Sequence, residues 1–308
     1  MAGAKRSSWI KPSTQAMWRE GRHMPGYSLF DWLHGYVYGR WPYLYIGVGT
    51  GGHPLTRLLA PLWSLVSALF KGRVGDSSVD NLKRFADGYH GKVILHDEAR
   101  RLVSVNRPVS LKNLETIIPY AQARDIILNR PDHLAVLDCP CRASRKSPCL
   151  PLDVCLIVGE PFAGFILEHH PRRARPVSSD EALAILEAEH RRGHVHHAFF
   201  KDAVLGRFYA ICNCCACCCG AMQAWRNGVP MLASSGYVSQ VSPESCSGCG
   251  ICVNACPFEA LGLESGVAVV EQTCCLGCGV CESICPQGAH SLVLDPHRSE
   301  PLKIAQQC

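Results

Sequence analysis

A twelve-residue run occurs twice in this chain. Residues 246–257 read Cys-Ser-Gly-Cys-Gly-Ile-Cys-Val-Asn-Ala-Cys-Pro, and residues 275–286 read Cys-Leu-Gly-Cys-Gly-Val-Cys-Glu-Ser-Ile-Cys-Pro, an offset of 29 residues. Every cysteine and the proline recur, as do Gly248 and Gly250 (Gly277 and Gly279) and, beyond the run, Ala260 (Ala289). Thiols two and three residues apart are too close for ordinary disulfides but suit a metal centre. Three thiolates on one loop can wrap three corners of it, while glycines let backbone N–H groups turn inward toward anionic sulfur. Zinc spacing can include C-x2-C, but zinc does not account for a doubled four-cysteine run closed by proline.

The run resembles that of the two-cluster bacterial ferredoxins, C-x2-C-x2-C-x3-C-P, over residues 236–296. The resemblance implies two [4Fe–4S] clusters with crossed ligation. One would take Cys246, Cys249, Cys252 and Cys285; the other would take Cys275, Cys278, Cys281 and Cys256. It further implies a βαββαβ-like module, with Tyr237–Val241 and Ser291–Leu294 as an outer strand pair and Ser265-Gly266 at the turn joining the halves. Cys274 is out of register with Cys278 and reads as a bystander.

Eight of the 20 cysteines are used in this way. Apart from Cys274 and the terminal Cys308, the rest fall into two groups. The first is Cys139-Pro-Cys141-Arg142, followed by Cys149 and Cys155; the second places six thiols at positions 212, 214, 215, 217, 218 and 219. Four thiolates could close a tetrahedral zinc site or hold another cluster, and Arg142, Arg145 and Lys146 would offset the charge of either. We expect the two groups to meet around at least one metal, with Cys139, Cys141, Cys149, Cys155, Cys214, Cys215, Cys217 and Cys218 as candidate ligands. Whether each group holds its own metal or both share one is open. Neighbours such as Cys214 and Cys215 point different ways on a regular backbone, so not all six thiols of the second group can serve one centre. The alternative is a set of vicinal thiols that form and break disulfides. Cys139-Pro-Cys141-Arg142, Glu181-Ala182-Leu183 and Asn213-Cys214-Cys215-Ala216-Cys217-Cys218 together resemble a family of uncharacterised iron–sulfur proteins from anaerobic or sulfur-metabolising bacteria. The resemblance covers about 135–296 and implies a redox protein without an established catalytic residue.

The elements that would position these groups are short. Lys92–His96 and Leu102–Val105 read as strands around a charged turn, 110–129 as mostly helical, and Leu134–Asp138 as a buried strand leading into Cys139. Two further apolar runs, Leu156–Val158 and Phe165–Leu167, follow. Ser178-Ser179-Asp180-Glu181 reads as a capping box for a helix that Gly193 ends. The fold class is α+β. An aromatic, basic N-terminal docking arm (1–75) leads to an α/β cysteine-rich middle domain (76–230) and the ferredoxin-type region (231–308).

Charge is segregated along the chain. Residues 1–75 hold nine Lys and Arg against Glu20 and Asp31, together with five of the six Trp. Residues 241–295 hold no Lys or Arg but six carboxylates. An acidic electron carrier suits a basic redox-protein partner. The uncharged stretch Leu58–Phe70 is too short to span a bilayer, so the arm would dock peripherally on a membrane or a protein. No apolar run of signal-peptide length opens the chain, and reduced clustered thiols suit the cytoplasm. Gly47–His53 lacks both nucleotide fingerprints, and the basic arm carries no nucleic-acid motif. His190, His194, His196 and His197 could ligate metal or shuttle protons, although surface histidines are commoner. The expected function is electron transfer, with a redox enzyme acting on a small sulfur or thiol substrate at the middle cysteines as the alternative.

Overall fold

The computed structural model describes residues 10–53, 55, 56, 83, 85–111, 114, 116–120 and 125–304. Residues 72–78, whose sequence reads as a linker, and the apolar stretch at 58–70 lie outside the described residues. Three helices come first: α1 (Pro12–Arg22), α2 (Leu29–Arg40) and α3 (Pro42–Gly49). The middle of the chain then alternates strands and helices: β1 (Tyr89–Val93), α4 (His96–Ser104), β2 (Val109–Leu111), β3 (Ile126–Leu128), β4 (Leu134–Asp138), α5 (Pro140–Ala143) and β5 (Asp153–Val158). It continues with α6 (Phe162–His169), β6 (Ala174–Val177), α7 (Ser179–Arg191), β7 (Val195–Lys201), β8 (Arg207–Cys214), α8 (Gly220–Arg226) and β9 (Leu232–Ala233). Seven of these strands form one sheet in the order β6-β4-β5-β8-β7-β1-β9. Its pairings are antiparallel except for β1 with β9. The sheet therefore takes its last strand from just beyond residue 230.

Alternation along the strands gives the sheet two different faces. On one side Ala198, Phe200 and Leu156 pack with Ala99, Leu102 and Val103 of α4 and with Ala182 and Leu186 of α7. On the other side Phe199, Ile157 and Leu137 pack with Met17 and Tyr38 of the N-terminal helices, Phe162 and Phe165 of α6, and Met222 of α8. The N-terminal helices lie against this second face. The Ser13 amide donates to Glu168 at 3.0 Å, Tyr43 Oη donates to Asp138 O at 2.9 Å, and Arg207 pairs with Glu20 at 2.6 Å. Gly35 lets α2 approach the β7–β8 turn, since a Cβ there would collide with Ala203 O. Among the described residues, no helix is long and apolar enough to cross a membrane.

Two local expectations are corrected, and one apolar run is placed. Leu102–Val105 is not a strand: it falls in and at the end of α4, where Asp97 and Glu98 occupy the first turn and Ala99, Leu102 and Val103 share one buried face. The 110–129 stretch is not mainly helical, because its ends, β2 and β3, pair antiparallel over the buried Ile126 and Leu128. Phe165–Leu167 belongs to α6. The cap of α7 forms only its first half. Ser178 Oγ accepts from the Glu181 amide at 3.2 Å, while the Glu181 carboxylate turns to Arg175 at 2.5 Å.

Beyond the sheet the chain forms β10 (Tyr237–Val241), α9 (Ile251–Ala255), β11 (Leu261–Glu264), β12 (Val267–Val270), α10 (Val280–Ile284) and β13 (His290–Leu294). β10 pairs with β13, and β11 pairs with β12 through Ser265 (φ 50°) and Gly266 (φ 82°), two left-handed residues as a tight hairpin requires. Trp225 of α8 meets Phe258 edge-on at 5.3 Å, and Ser235 bonds Leu276 O (3.0 Å) and Gly277 O (2.6 Å), so this region is seated on the middle of the chain. The C-terminal segment folds back too: Leu302 and Ile304 are buried in the α4/α7 core, and Lys92 Nζ donates to Ser234 O, Ser299 Oγ and Glu300 O.

Candidate metal and thiol centres

Each twelve-residue run forms a loop followed by one turn of helix. Gly250 and Gly279 stand in the left-handed region just before α9 and α10. The helices carry Cys252 and Cys281, and their C-caps are Cys256 and Cys285. The helices point across the region, so each C-cap cysteine leaves its own loop. One hollow is lined by Cys246, Cys249, Cys252 and Cys285. The other is lined by Cys275, Cys278, Cys281 and Cys256. Backbone donors already reach these sulfurs. The Ala260 amide donates to Cys256 Sγ and the Ala289 amide to Cys285 Sγ, both at 3.3 Å, and the Ala268 amide donates to Cys246 Sγ at 3.4 Å. Ser239 Oγ lies 3.2 Å from Cys281 Sγ. Four cysteine sulfurs, amide donors and an apolar surround suit an anionic iron–sulfur group.

Residues 239–262 match the 4Fe-4S binding domain family. The matched segment takes in the end of β10, the first run and the start of β11. It marks the chain as an iron–sulfur protein with an electron-transfer role. No curated protein matches the chain. The 4Fe-4S binding domain thus covers one of the two runs, and the middle cysteines lie outside it.

Those middle cysteines separate into two sets. Cys149, Cys215, Cys217 and Cys218 place their Sγ atoms within 4.8 Å of one another. Cys149 and Cys217 are 2.9 Å apart, and Cys217 and Cys218 are 3.5 Å apart. Arg145 donates to Cys218 O at 3.1 Å and Arg226 to Ala216 O at 2.5 Å, which fixes the loop that carries three of the four. A tetrahedral zinc with bonds of 2.3 Å sets its sulfurs roughly 3.8 Å apart. The corners of a [4Fe–4S] cubane hold sulfurs wider, because each lies outside its own iron. The spacing therefore suits a single ion.

The second set faces a cavity of about 100 Å³ on the N-terminal-helix side of the sheet. Cys139, Cys141, Cys155, Cys212, Cys214 and Cys219 line it, Cys215 touches it, and Tyr38, Tyr89 and Tyr209 close it. The tyrosine hydroxyls form a chain, with Tyr38 to Tyr209 at 2.7 Å and Tyr38 to Tyr89 at 3.1 Å. Cys219 and Cys214 lie 3.2 Å apart. The neighbouring Cys141 thiol, together with burial, pushes the Cys139 thiol up to about 12. Cys155, beside the Cys139 and Cys212 thiols and buried, is also raised well above the ordinary thiol value. Arg142 anchors the first group from beneath. It is 1 % exposed and pairs with Glu189 at 2.5 Å, and it also donates to Pro151 O and Asn213 O at 2.6 and 3.0 Å.

Of the eight middle cysteines expected from the sequence, Cys149, Cys215, Cys217 and Cys218 share one place, and Cys139, Cys141, Cys155 and Cys214 share the other. Cys215 belongs to the four-thiol group and also lines the cavity beside Cys214. Cys212 and Cys219 were not among the eight. Period-2 alternation along β8 places Cys212 on the same face as Cys214, whereas Cys219 reaches the cavity only through the turn before α8. Cys274 lies outside both hollows.

Proposed function

We propose that the chain is an electron-transfer protein carrying two [4Fe–4S] clusters, one in each cysteine-lined hollow of 231–308. The observation that carries this reading is the crossed membership of the hollows: each takes three cysteines from one run and the fourth from the other. The two positions differ in surroundings. Cys249 is exposed, whereas Cys275, Cys278 and Cys256 adjoin the core that continues to the thiol-lined cavity. Electrons would be exchanged with a partner at the Cys249 side and relayed through the inner cluster to the middle of the chain. The carboxylates of 241–295, unopposed by Lys or Arg, suit a basic partner. The outward face of α2, where Leu29, Phe30 and Leu33 are exposed, is the docking surface of the N-terminal arm, for a protein or a membrane surface. Cys149, Cys215, Cys217 and Cys218 hold a third, single metal ion of the zinc class. A division into 76–230 and 231–308 separates the doubled run from most of the large sheet, although β9 (Leu232–Ala233) completes that sheet and Leu302 and Ile304 return to its core.

The test is anaerobic reconstitution of the full chain, with iron, sulfide and zinc counted per molecule. About eight irons and eight sulfides, with two reducible EPR signals, are expected from two cubanes. Saturation at four irons or fewer in the chain would refute the two-cluster reading.

A second reading is favoured by one observation, the cysteine-lined cavity beneath three tyrosines. There the neighbours Cys214 and Cys219 would reduce a small disulfide or sulfur-chain substrate. The dithiol gives up two electrons and two protons, a disulfide forms between the two residues, and a sulfur–sulfur bond of the substrate breaks to give reduced sulfur. The two clusters, one electron each, would then restore the dithiol as two protons return from water. Alkylation and mass spectrometry after oxidation decide this: a Cys214–Cys219 link that dithionite-reduced clusters reopen supports it, and no link among the cavity cysteines refutes it.

A further inference from the structure

Asn213 stands between two cavity thiols but faces away from them. Cys212 and Cys214 point to one side of β8, and Asn213 points to the other, where its register partner on β7 is His196. The Asn213 amide is fixed in orientation because its Nδ2 donates to Val154 O at 2.7 Å. Its Oδ1 is therefore an acceptor, and His196 Nδ1, 2.6 Å away, must carry the proton. That leaves a bare lone pair on His196 Nε2.

The atom 3.3 Å from that lone pair is His96 Nδ1. The other ring nitrogen of His96, Nε2, lies 3.1 Å from Glu187 Oε2 and donates its proton there. Glu187 is held in place by Arg191 at 2.8 Å. Neutral His96 thus also presents a lone pair, and the two lone pairs face each other across 3.3 Å. They repel unless a cation lies between them. A third imidazole, His190 of α7, has a ring nitrogen within 4.8 Å of both, and its ring lies over His96 with centroids 4.4 Å apart. Nitrogens on a tetrahedral zinc, with bonds of 2.0–2.1 Å, stand roughly 3.3–3.4 Å apart. Ligand imidazoles whose far nitrogens donate to a carboxylate and a carbonyl-type oxygen are the arrangement that fixes a metal-binding tautomer.

We propose that His96, His190 and His196 bind one divalent transition-metal ion of the zinc class, on the sheet face opposite the thiol cavity. His96 binds through Nδ1 and His196 through Nε2. Glu187 and Asn213 are positioning residues. Three imidazoles leave a fourth position, on the side where His190 and Glu187 reach solvent, for water or a small anionic or sulfur ligand. The competing occupant is a proton on His96, shared between Glu187 and His196.

Zinc is the probe. The anaerobically prepared full chain is saturated with Zn²⁺, dialysed, and read by zinc and iron content and by zinc X-ray absorption. The wild type should show nitrogen-coordinated zinc besides any sulfur-coordinated zinc. His190→Ala and His96→Ala should each lose about one zinc per chain with iron unchanged, iron retention serving as the check on folding. Glu187→Ala should weaken zinc binding roughly 10–100-fold, and Glu187→Gln, which still accepts from His96 Nε2, should recover most of it. Zinc that is wholly sulfur-coordinated in the wild type would overturn the proposal, as would folded histidine variants that keep the wild-type zinc content.

Discussion

Replacing Arg142 by Met would remove the centre of the only fully buried ion pair among the described residues. Arg142 and Glu189 are each 1 % exposed and meet at 2.5 Å. Breaking a buried pair from one side typically costs about 3–5 kcal/mol, because the remaining charge stays out of water. Two further losses add to this: the carbonyls of Pro151 and Asn213 each lose a donor, at about 1 kcal/mol apiece. One effect offsets them. Glu189 keeps His194 Nδ1 at 2.7 Å and Arg192 Nη1 at 2.8 Å, so its carboxylate is not left bare. The expected loss is about 4 kcal/mol, a large share of the roughly 5–15 kcal/mol that a domain possesses. The assay is urea unfolding followed by far-UV circular dichroism at constant metal load, with the slope compared to ensure that only the midpoint moves. Arg142→Met/Glu189→Leu should lose less than the sum of its two single changes, since the shared pair is broken only once. A loss below about 1 kcal/mol for the single change would show that the pair does not hold the Cys139–Cys141 segment to α7. A double variant as weak as the sum of its singles would show the same.

Other outcomes follow from the same geometry. Cys256→Ser should disturb the cluster of Cys275, Cys278 and Cys281 and spare the other; an EPR change confined to the Cys246 cluster would rule out crossed ligation. Cys217→Ser, at the exposed corner of the four-thiol site, should cost about one zinc per chain and leave iron unchanged; full zinc retention in the folded variant would remove the site. Lys201 is buried over the rings of Tyr38 and Tyr89, at 4.9 and 4.3 Å, with Asp202 its nearby carboxylate. Burial lowers it from 10.5 to about 8, only partly opposed by Asp202. Between those values the unfolded chain binds a proton at this lysine that the native chain does not, so Lys201 contributes a term to stability that rises with pH, by up to about 1.4 kcal/mol per unit. Lys201→Met should make stability rise less steeply with pH than in the wild type over that window, leaving the contribution of Lys92, which burial lowers to about 7; an unchanged pH dependence would place the titration elsewhere.

How much of this could be read from sequence depends on how local each site is. Three cysteines of each hollow lie on one loop and one helical turn, so spacing groups them, whereas the fourth comes from the other run and was implied only by the ferredoxin resemblance; the outer strand pair and the Ser265-Gly266 turn fall where that resemblance implies. The middle cysteines are different. Cys149 joins Cys217 rather than Cys139 because the chain from Cys141 to Cys149 leaves the sheet edge and returns only at β5, a path that spacing does not encode. The strand reading of Leu102–Val105 gave weight to β-branched residues, but the buried face formed by Ala99, Leu102 and Val103 decides for a helix. His96 is the least legible. It reaches His190 and His196 through the packing of α4 on α7 beside β7, roughly a hundred residues along the chain, and no local pattern announces it.

The alternation along β8 has a consequence for how this sequence can change. Thiols at 212 and 214 look one way and the amide at 213 looks the other, while on β7 His196 and His197 are likewise divided between the two sides. A single-residue insertion or deletion between Gly193 and Cys214 that slid one strand past its neighbour would exchange the two sides wholesale, turning sulfur toward the imidazoles and Asn213 into the cavity. Loss of either chemistry would then entail loss of the other. Length changes in this stretch should therefore be confined to the turn 202–206, where they can be absorbed without changing the phase of either strand, and drift should proceed by substitution elsewhere. The sheet acts as a parity lock, joining two sites that share no ligand.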